Sequence, residues 1–172
     1  YHEAAEPELE CRFARLAGEQ AAIQFANDEA VAYLSRALAL TAETDSVEQY
    51  DLLSALEKIY ELRGQRDAQS QALSTLERLV KALDDDRKRS ELALRWSNFA
   101  EVTGDYRAAI SAAQAAIALA RTAGDTPREA RGHLYWGRAL WRPGDFSSAQ
   151  TQLERAWDLA GGDPVAEGNS LR

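Results

Sequence analysis

Three glycines, Gly64, Gly104 and Gly144, are each 40 residues apart, and no other feature of the 172-residue chain limits its possible folds as strongly. The last two glycines are each followed by an aspartate and an aromatic residue. A fixed period of this length is typical of arrays in which each repeat packs on its neighbours. The chain is therefore predicted to be built from repeats.

Residues of similar size recur at matching distances from these glycines. An earlier unit fits the same offsets if Phe25 takes the place of the glycine, which gives four units. Small residues where two antiparallel helices approach, and large apolar residues where a gap is filled, explain such a pattern. The recurring positions seven residues before and five residues after the turn are Gly18, Glu57, Ser97 and Gly137, and then Ala30, Gln69, Ala109 and Ala149.

Apolar residues at i, i+3 and i+4 spacing predict helices throughout, and Ala, Leu, Glu, Arg and Gln give high helix propensity. We expect an all-α fold, a right-handed α-α superhelix of about four helical hairpins, as one domain over residues 1–172. The predicted hairpins span residues 8–42, 47–83, 87–122 and 127–160. Their helices are predicted at 8–25, 28–42, 47–63, 66–83, 87–103, 105–122, 127–142 and 145–160.

Helix starts are marked by capping residues. Thr126 is predicted to cap a helix and to form a capping box with Glu129. An earlier helix has two alternatives, Ser46 with Gln49 or Asp45 with Glu48.

The third and fourth units carry the combination of residues that identifies the repeat type. In the fourth unit these are Trp136-Gly137, Gly144-Asp145-Phe146, Ala149 and Ala156. Over residues 8–160 the chain resembles the tetratricopeptide repeat family. It departs from the family in its period of about 40 rather than 34 residues.

The second unit departs further, because Gln69 and Leu76 replace the expected alanines. We expect its two helices to pack at an altered spacing.

Lengthened repeats of this kind resemble the helical regulatory arm of large bacterial signalling ATPases, including cyclase-linked and transcription-factor-linked regulators. The resemblance implies a protein-interaction or regulatory module that binds a peptide segment, or another domain of its parent chain, on the concave face. It implies no enzymatic activity.

The net charge of −8 disfavours nucleic acid, because binding a phosphate backbone requires a positive surface. No apolar run approaches the length of a membrane span, and the single cysteine cannot form an internal disulfide. These features favour a cytoplasmic protein. The chain is expected to be a fragment of a longer protein, with residues 163–172 beginning a further repeat.

Few residues suggest catalysis or metal binding. His133 is interpreted as a packing or surface residue, and Cys11 as a small buried hydrophobic residue. Asp84-Asp85-Asp86 lacks the remaining ligands of a calcium loop and is interpreted as a turn that caps the next helix. No catalytic residue, metal site or cofactor is predicted.

The tryptophans divide into three groups. Trp96 and Trp136 recur at the repeat period and are predicted to pack in the core. Trp157 is predicted to belong to the apolar stripe of the last helix together with Phe146. Trp141 lies outside these patterns.

In the tetratricopeptide family the first helix of each hairpin lines the concave surface, where ligands bind. Arginine pairs with carboxylates bidentately, so an arginine-rich surface favours an acidic or carboxylate-ended peptide. The alternative is that these arginines are solvated and paired with nearby acids such as Glu61, Glu91 and Glu101. The residues predicted to bind the partner are Arg95, Asn98, Arg131, Tyr135, Arg138, Trp141 and Arg142.

Two other functions stay open at this point. The array could sense a small molecule, which would require an enclosed polar pocket lined by aromatic residues. It could also form a homodimer through apolar faces at the ends of the array.

Overall fold

The structure is a computed structural model that describes the backbone of residues 2–161 and the side chains of residues 8–161. Residues 2–161 contain eight α-helices and no strand. Successive helices pair as antiparallel hairpins, α1 with α2, α3 with α4, α5 with α6 and α7 with α8. The helices are α1 (His2–Ile23), α2 (Asn27–Leu40), α3 (Ser46–Leu62), α4 (Arg66–Leu83), α5 (Asp86–Val102), α6 (Tyr106–Thr122), α7 (Thr126–Trp141) and α8 (Phe146–Leu159).

The all-α fold and its hairpins are confirmed, and the helix bounds agree with the predicted bounds to within two residues, except that α1 begins at His2 rather than at residue 8. The helices group into two compact units, unit 1 (Tyr1–Asp84) and unit 2 (Asp85–Arg172). The single domain over residues 1–172 stays a prediction. The further repeat predicted at 163–172 lies outside the described residues.

The turn between α5 and α6 shows why the sequence Gly-Asp recurs. Gly104 has φ +86°, a left-handed conformation that costs glycine little, and it ends α5. Asp105 then accepts a hydrogen bond from the backbone N–H of Ala108 and caps α6. Phe25, predicted to take the glycine's place in the first unit, also has a positive φ, of 59°. The first turn therefore adopts a left-handed geometry with a residue for which it is less favourable.

The caps confirm one prediction and correct another. Asp45 accepts a hydrogen bond from the backbone N–H of Glu48, so Asp45 rather than Ser46 caps α3. The cap predicted at Thr126 is wrong by one residue. Asp125 caps α7 and accepts from the backbone N–H of Arg128, and Thr126 is the first residue of the helix. An aspartate before a threonine takes the cap because its carboxylate also favours the positive end of the helix dipole.

The acidic run at 84–86 is a junction between helices, as predicted. Asp84 ends α4 in a left-handed conformation, Asp85 accepts from the backbone N–H groups of Arg87 and Lys88, and Asp86 begins α5. Two of the three aspartates thus serve the helix start, where negative charge is stabilising.

Small residues allow the paired helices to approach closely. A Cβ atom added to Gly18 would lie 2.7 Å from Cγ of Leu34, which is 1% exposed. In the third hairpin the hydroxyl of Ser97 donates a 2.8 Å hydrogen bond to the backbone carbonyl of Ala109, which is fully buried. The recurring positions found in the sequence are therefore points of close helix contact.

The second hairpin replaces this small-residue contact with a polar one. Glu57 and Gln69 are 1% and 0% exposed, and Gln69 Nε2 donates to Glu57 Oε1 at 2.8 Å. Arg66 in turn donates to Gln69 Oε1 at 2.7 Å. The helices α3 and α4 also contact each other less extensively than the other three pairs, in agreement with the predicted change in spacing.

Two predictions about aromatic packing need correction. Trp96 and Trp136 are half-buried rather than fully in the core, as is common for so large a side chain, and their rings pack on Phe99 and His133. Trp157 and Phe146, predicted on the apolar stripe of α8, are 44% and 56% exposed. Within the described residues α8 packs chiefly against α7, so only the part of its apolar stripe that faces α7 is covered.

None of the helices in the described part of the chain is sufficiently long and apolar to cross a membrane.

We expect Gly18→Ala to lower the free energy of unfolding by about 1 to 3 kcal/mol, because the added methyl group displaces the buried Leu34 and the backbone of α2. Urea unfolding followed by circular dichroism measures the change. The control is Gln20→Ala, because Gln20 is an exposed residue of the same helix and its truncation disturbs no buried contact. An unchanged midpoint for Gly18→Ala would contradict the close contact.

We also expect Gln69→Ala to destabilise the chain by about 1 to 3 kcal/mol, because it removes an amide donor from the buried carboxylate of Glu57. The double variant Glu57→Ser with Gln69→Ala should cost less than the sum of the two single variants, since both lose the same hydrogen bond. A double-mutant cycle by urea unfolding measures this coupling. Additive costs would show that the bond contributes nothing.

Candidate functional site

All seven residues predicted to bind a partner lie in unit 2, on or at the end of α5 and α7, which contact each other as well as α6. Along α7 the spacing of three and four residues places Arg131, Tyr135, Arg138 and Arg142 on one face. We call this face of α7, together with the adjoining residues of α5, the α5–α7 surface. It carries two separate groups of ion pairs.

The first group is centred on Glu91 of α5. Its Oε2 lies 3.2 Å from Nη1 of Arg131 and 3.3 Å from Nε of Arg128, and its Oε1 lies 3.5 Å from Nε of Arg95. The side chains of Glu91, Arg95 and Arg131 are only 18%, 21% and 26% exposed. One half-buried carboxylate therefore gathers three arginines, of which Arg128 and Arg131 tie α7 to α5.

The charges in this group shift the pKa values of its members. Burial alone would raise the pKa of Glu91, but Arg131, Arg95 and Arg128 outweigh it and lower that pKa below its ordinary value. Burial alone would likewise lower the pKa of Arg131, whereas Glu91 and a hydrogen bond with Tyr135 raise it. Both shifts favour the charged forms, so the group is stabilised as a set of ion pairs.

The second group is centred on Glu101, whose side chain is 3% exposed. Nη2 of Arg138 lies 2.9 Å from Glu101 Oε2, and Nε of Arg142 lies 3.4 Å from Oε1. The side chains of Arg138 and Arg142 are 41% and 62% exposed, far more than those of Arg95 and Arg131. Two accessible arginines thus share one buried carboxylate.

Aromatic side chains lie beside the second group. The guanidinium carbon of Arg138 lies 5.4 Å from the ring centroid of Tyr135, within the range of a cation–π contact. Trp141 is 55% exposed, and its ring meets that of Phe146 edge-on with 4.8 Å between centroids. Asn98 is half-buried on α5.

The pairing of arginines with Glu91 and Glu101, which the sequence left as an alternative, is present in the structure. Sequence reasoning missed Arg128, which contacts both Glu91 and the capping Asp125. Its position three residues after the cap was the available signal, because residues at that spacing lie close together.

His133 is a packing residue, as predicted, and is 6% exposed. Its Nδ1 lies 2.8 Å from Oε1 of Gln152, its Nε2 lies 3.5 Å from Nη2 of Arg121, and its ring stacks on Trp136. The histidine therefore joins α6, α7 and α8.

Unit 1 contains a pocket of about 540 Å³ between α1 and the junction of α2 with α3. Cys11 is half-buried in its lining, with Sγ 3.4 Å from the backbone carbonyl of Ala37, so it is less buried than predicted. Among the described residues the lining contains no aromatic side chain and carries both acidic and basic groups. It does not match the aromatic pocket expected of a small-molecule sensor.

No family model matches the sequence, and no curated protein matches it. Solved structures do. The chain is similar to BtubC (BKLC) from P. vanneervenii, with a TM-score of 0.80 and 16% identity over 91% of this chain and 65% of that one.

Two further structures are similar. One is a Rap protein complexed with Competence and Sporulation Factor, with a TM-score of 0.76 and 16% identity over 90% of this chain and 44% of that one. The other is aspartyl phosphate phosphatase F from Bacillus subtilis, with a TM-score of 0.80 and 12% identity over 92% of this chain and 43% of that one. This chain spans less than two thirds of each protein. The likeness shows an all-α helical-repeat fold, and at such identities it shows the fold alone.

We expect Glu91→Gln to lower the free energy of unfolding by about 1 to 3 kcal/mol at neutral pH, because it leaves three arginines without their shared carboxylate. Since folding lowers the pKa of Glu91, its contribution is present above the ordinary carboxyl pKa and is lost as the pH falls through the folded-state pKa. The difference in the free energy of unfolding between wild type and Glu91→Gln should therefore become smaller in acid.

Urea unfolding at about pH 7 and about pH 3 measures this difference. Glu77→Gln removes an exposed carboxylate paired with Lys81 and is the matched control, expected to change stability by less than about 1 kcal/mol. A loss of stability on Glu91→Gln that is equal at both pH values would contradict the lowered pKa of Glu91.

Proposed function

We propose that the chain is a protein-interaction module that acts by binding rather than by catalysis, and that its α5–α7 surface receives an acidic segment of a partner protein or of another domain of its parent chain. The observation that carries the proposal is the sharing of one buried carboxylate, Glu101, by two accessible arginines, Arg138 and Arg142.

The charge at this group is not balanced. Two guanidinium groups face one carboxylate, which leaves an excess positive charge in a chain whose net charge is −8. Each guanidinium has five N–H donors and uses few of them on Glu101, so donors remain for a second carboxylate. An acidic segment would complete the pairing and would do so bidentately.

The two groups of ion pairs differ in what they can offer a partner. Arg95 and Arg131 are mostly covered and share Glu91 with a third arginine, and the pair made by Arg131 holds α7 against α5. Arg138 and Arg142 are exposed on the same face. The proposed binding site therefore contains fewer residues than the seven predicted from the sequence.

Trp141 adds an apolar flank to this contact. An exposed tryptophan held edge-on against Phe146 offers a large, rigid surface at low entropic cost, as is common at binding surfaces. An acidic residue next to an apolar one in the partner would satisfy both the arginines and the tryptophan.

One of the similar structures is a Rap protein complexed with Competence and Sporulation Factor. Because the identity is 16%, this likeness supports the proposal only through the shared fold. The lengthened repeats further motivate placing the module in the regulatory arm of a bacterial signalling protein.

Selection from a display library of random peptides tests the proposal, followed by measurement of dissociation constants by fluorescence anisotropy. We expect acidic peptides to be enriched. The triple variant Glu101→Gln, Arg138→Gln and Arg142→Gln removes both arginines without leaving a buried charge, and it should weaken binding at least about tenfold.

The matched control is Arg107→Gln, Glu154→Gln and Arg155→Gln, which changes two arginines and one glutamate at exposed positions of α6 and α8. It should bind as wild type does. Peptides without an acidic excess would contradict an acidic ligand. Equal binding by both triple variants would show that the α5–α7 surface is not the binding site.

A further inference from the structure

One face of α1 in unit 1 is apolar and is left exposed by the described residues. Leu9, Phe13, Leu16 and Ile23 are 51%, 62%, 57% and 71% exposed. Their spacing of four, three and seven residues places them on one side of the helix, away from the side that packs on α2. We call these four residues the α1 stripe.

At one position of this face, other first helices are covered by a helix. Leu52 of α3, at the position equivalent to Phe13, is 2% exposed and belongs to the core of unit 1. Gly132 of α7, at the same position, lies so close to α6 that an added Cβ would be 2.5 Å from Ile117. Phe13 of the α1 stripe therefore has a place in the repeat that is covered by a helix elsewhere in the chain, whereas Leu62, at the position of Ile23, is 67% exposed.

The α1 stripe is large enough to form a binding surface. At these exposed fractions each side chain leaves on the order of 100 Å² accessible, and a patch of roughly 400 Å² is within the range that is often functional.

The stripe is complementary to itself. Leu9, Leu16 and Ile23 are evenly spaced by seven residues, so a two-fold axis at Leu16 places Leu9 of one helix against Ile23 of an antiparallel copy. Such a match of a surface with itself is what a two-fold dimer requires.

The charges beside the stripe have the same symmetry. Arg12 and Glu19 lie on one flank of α1 and are also seven residues apart. In the antiparallel arrangement like flanks face each other, so Arg12 of each copy lies close to Glu19 of the other. Glu19 is 46% exposed, and its contact with Arg15 leaves lone pairs for a second arginine.

We propose that the α1 stripe binds a second copy of this chain, as an antiparallel α1–α1 pair centred on Leu16. The pair buries roughly 800 Å² of apolar surface before flanking residues are included, below the range of standard specific interfaces, so the dimer is weak, with a dissociation constant on the order of micromolar. This dimer is independent of the binding proposed for the α5–α7 surface.

Sedimentation velocity of the purified chain over about 1 to 200 µM tests the dimer. Leu16→Glu places two like charges at the two-fold axis and should weaken dimerisation at least about a hundredfold, with unchanged helical circular dichroism. Leu62→Glu is the matched control, because Leu62 is 67% exposed on α3 of the same unit, and it should leave the dimer intact.

Exchanging the charges of Arg12 and Glu19 distinguishes binding of a second copy from binding of any other partner. Arg12→Glu should weaken the dimer by placing acids close to each other, and adding Glu19→Arg should restore it. A chain that stays monomeric over the whole range, a dimer unaffected by Leu16→Glu, or an exchange that does not restore association would each overturn the proposal.

Discussion

The close approach of paired helices at a small residue is the contact on which three of the four described hairpins depend. It is possible only where a helix presents a small residue to its partner, as Gly18 does to Leu34 and Ser97 to Ala109. Because the helices are near enough for a hydroxyl to reach a backbone carbonyl, large apolar residues on either side fill the remaining gap. The hairpin that lacks small residues at this contact uses Glu57 and Gln69 instead, and its helices contact each other less.

The α5–α7 surface combines stability with the proposed binding. Glu91 draws three arginines into a half-buried cluster, and Glu101 holds two others that stay accessible. An ion pair that is covered contributes mainly to the position of α7 on α5, whereas a shared carboxylate with exposed arginines leaves donors for a partner. Arginine therefore has two roles on this surface: covered arginines stabilise the packing, and exposed arginines are available to a partner.

Much of the fold could be predicted from particular residues. The glycine spacing indicated the hairpins, and the helical spacing of apolar residues indicated the helix bounds. Errors in the predicted burial of side chains occurred where a neighbouring helix decides whether a side chain is covered. Trp157 has the right spacing for an apolar stripe, but spacing does not reveal whether another element covers that stripe.

The repeat, the helices and the list of arginines on α5 and α7 follow from the amino-acid sequence alone, because they depend on local periodicity and on residue type. The packing of the hairpins decides which acid each arginine meets, which arginines stay accessible, and that the α1 stripe is exposed. The physical reason is that burial and pairing depend on distances between helices, and residues 40 positions apart, such as Glu91 and Arg131, come together only after the hairpins have packed.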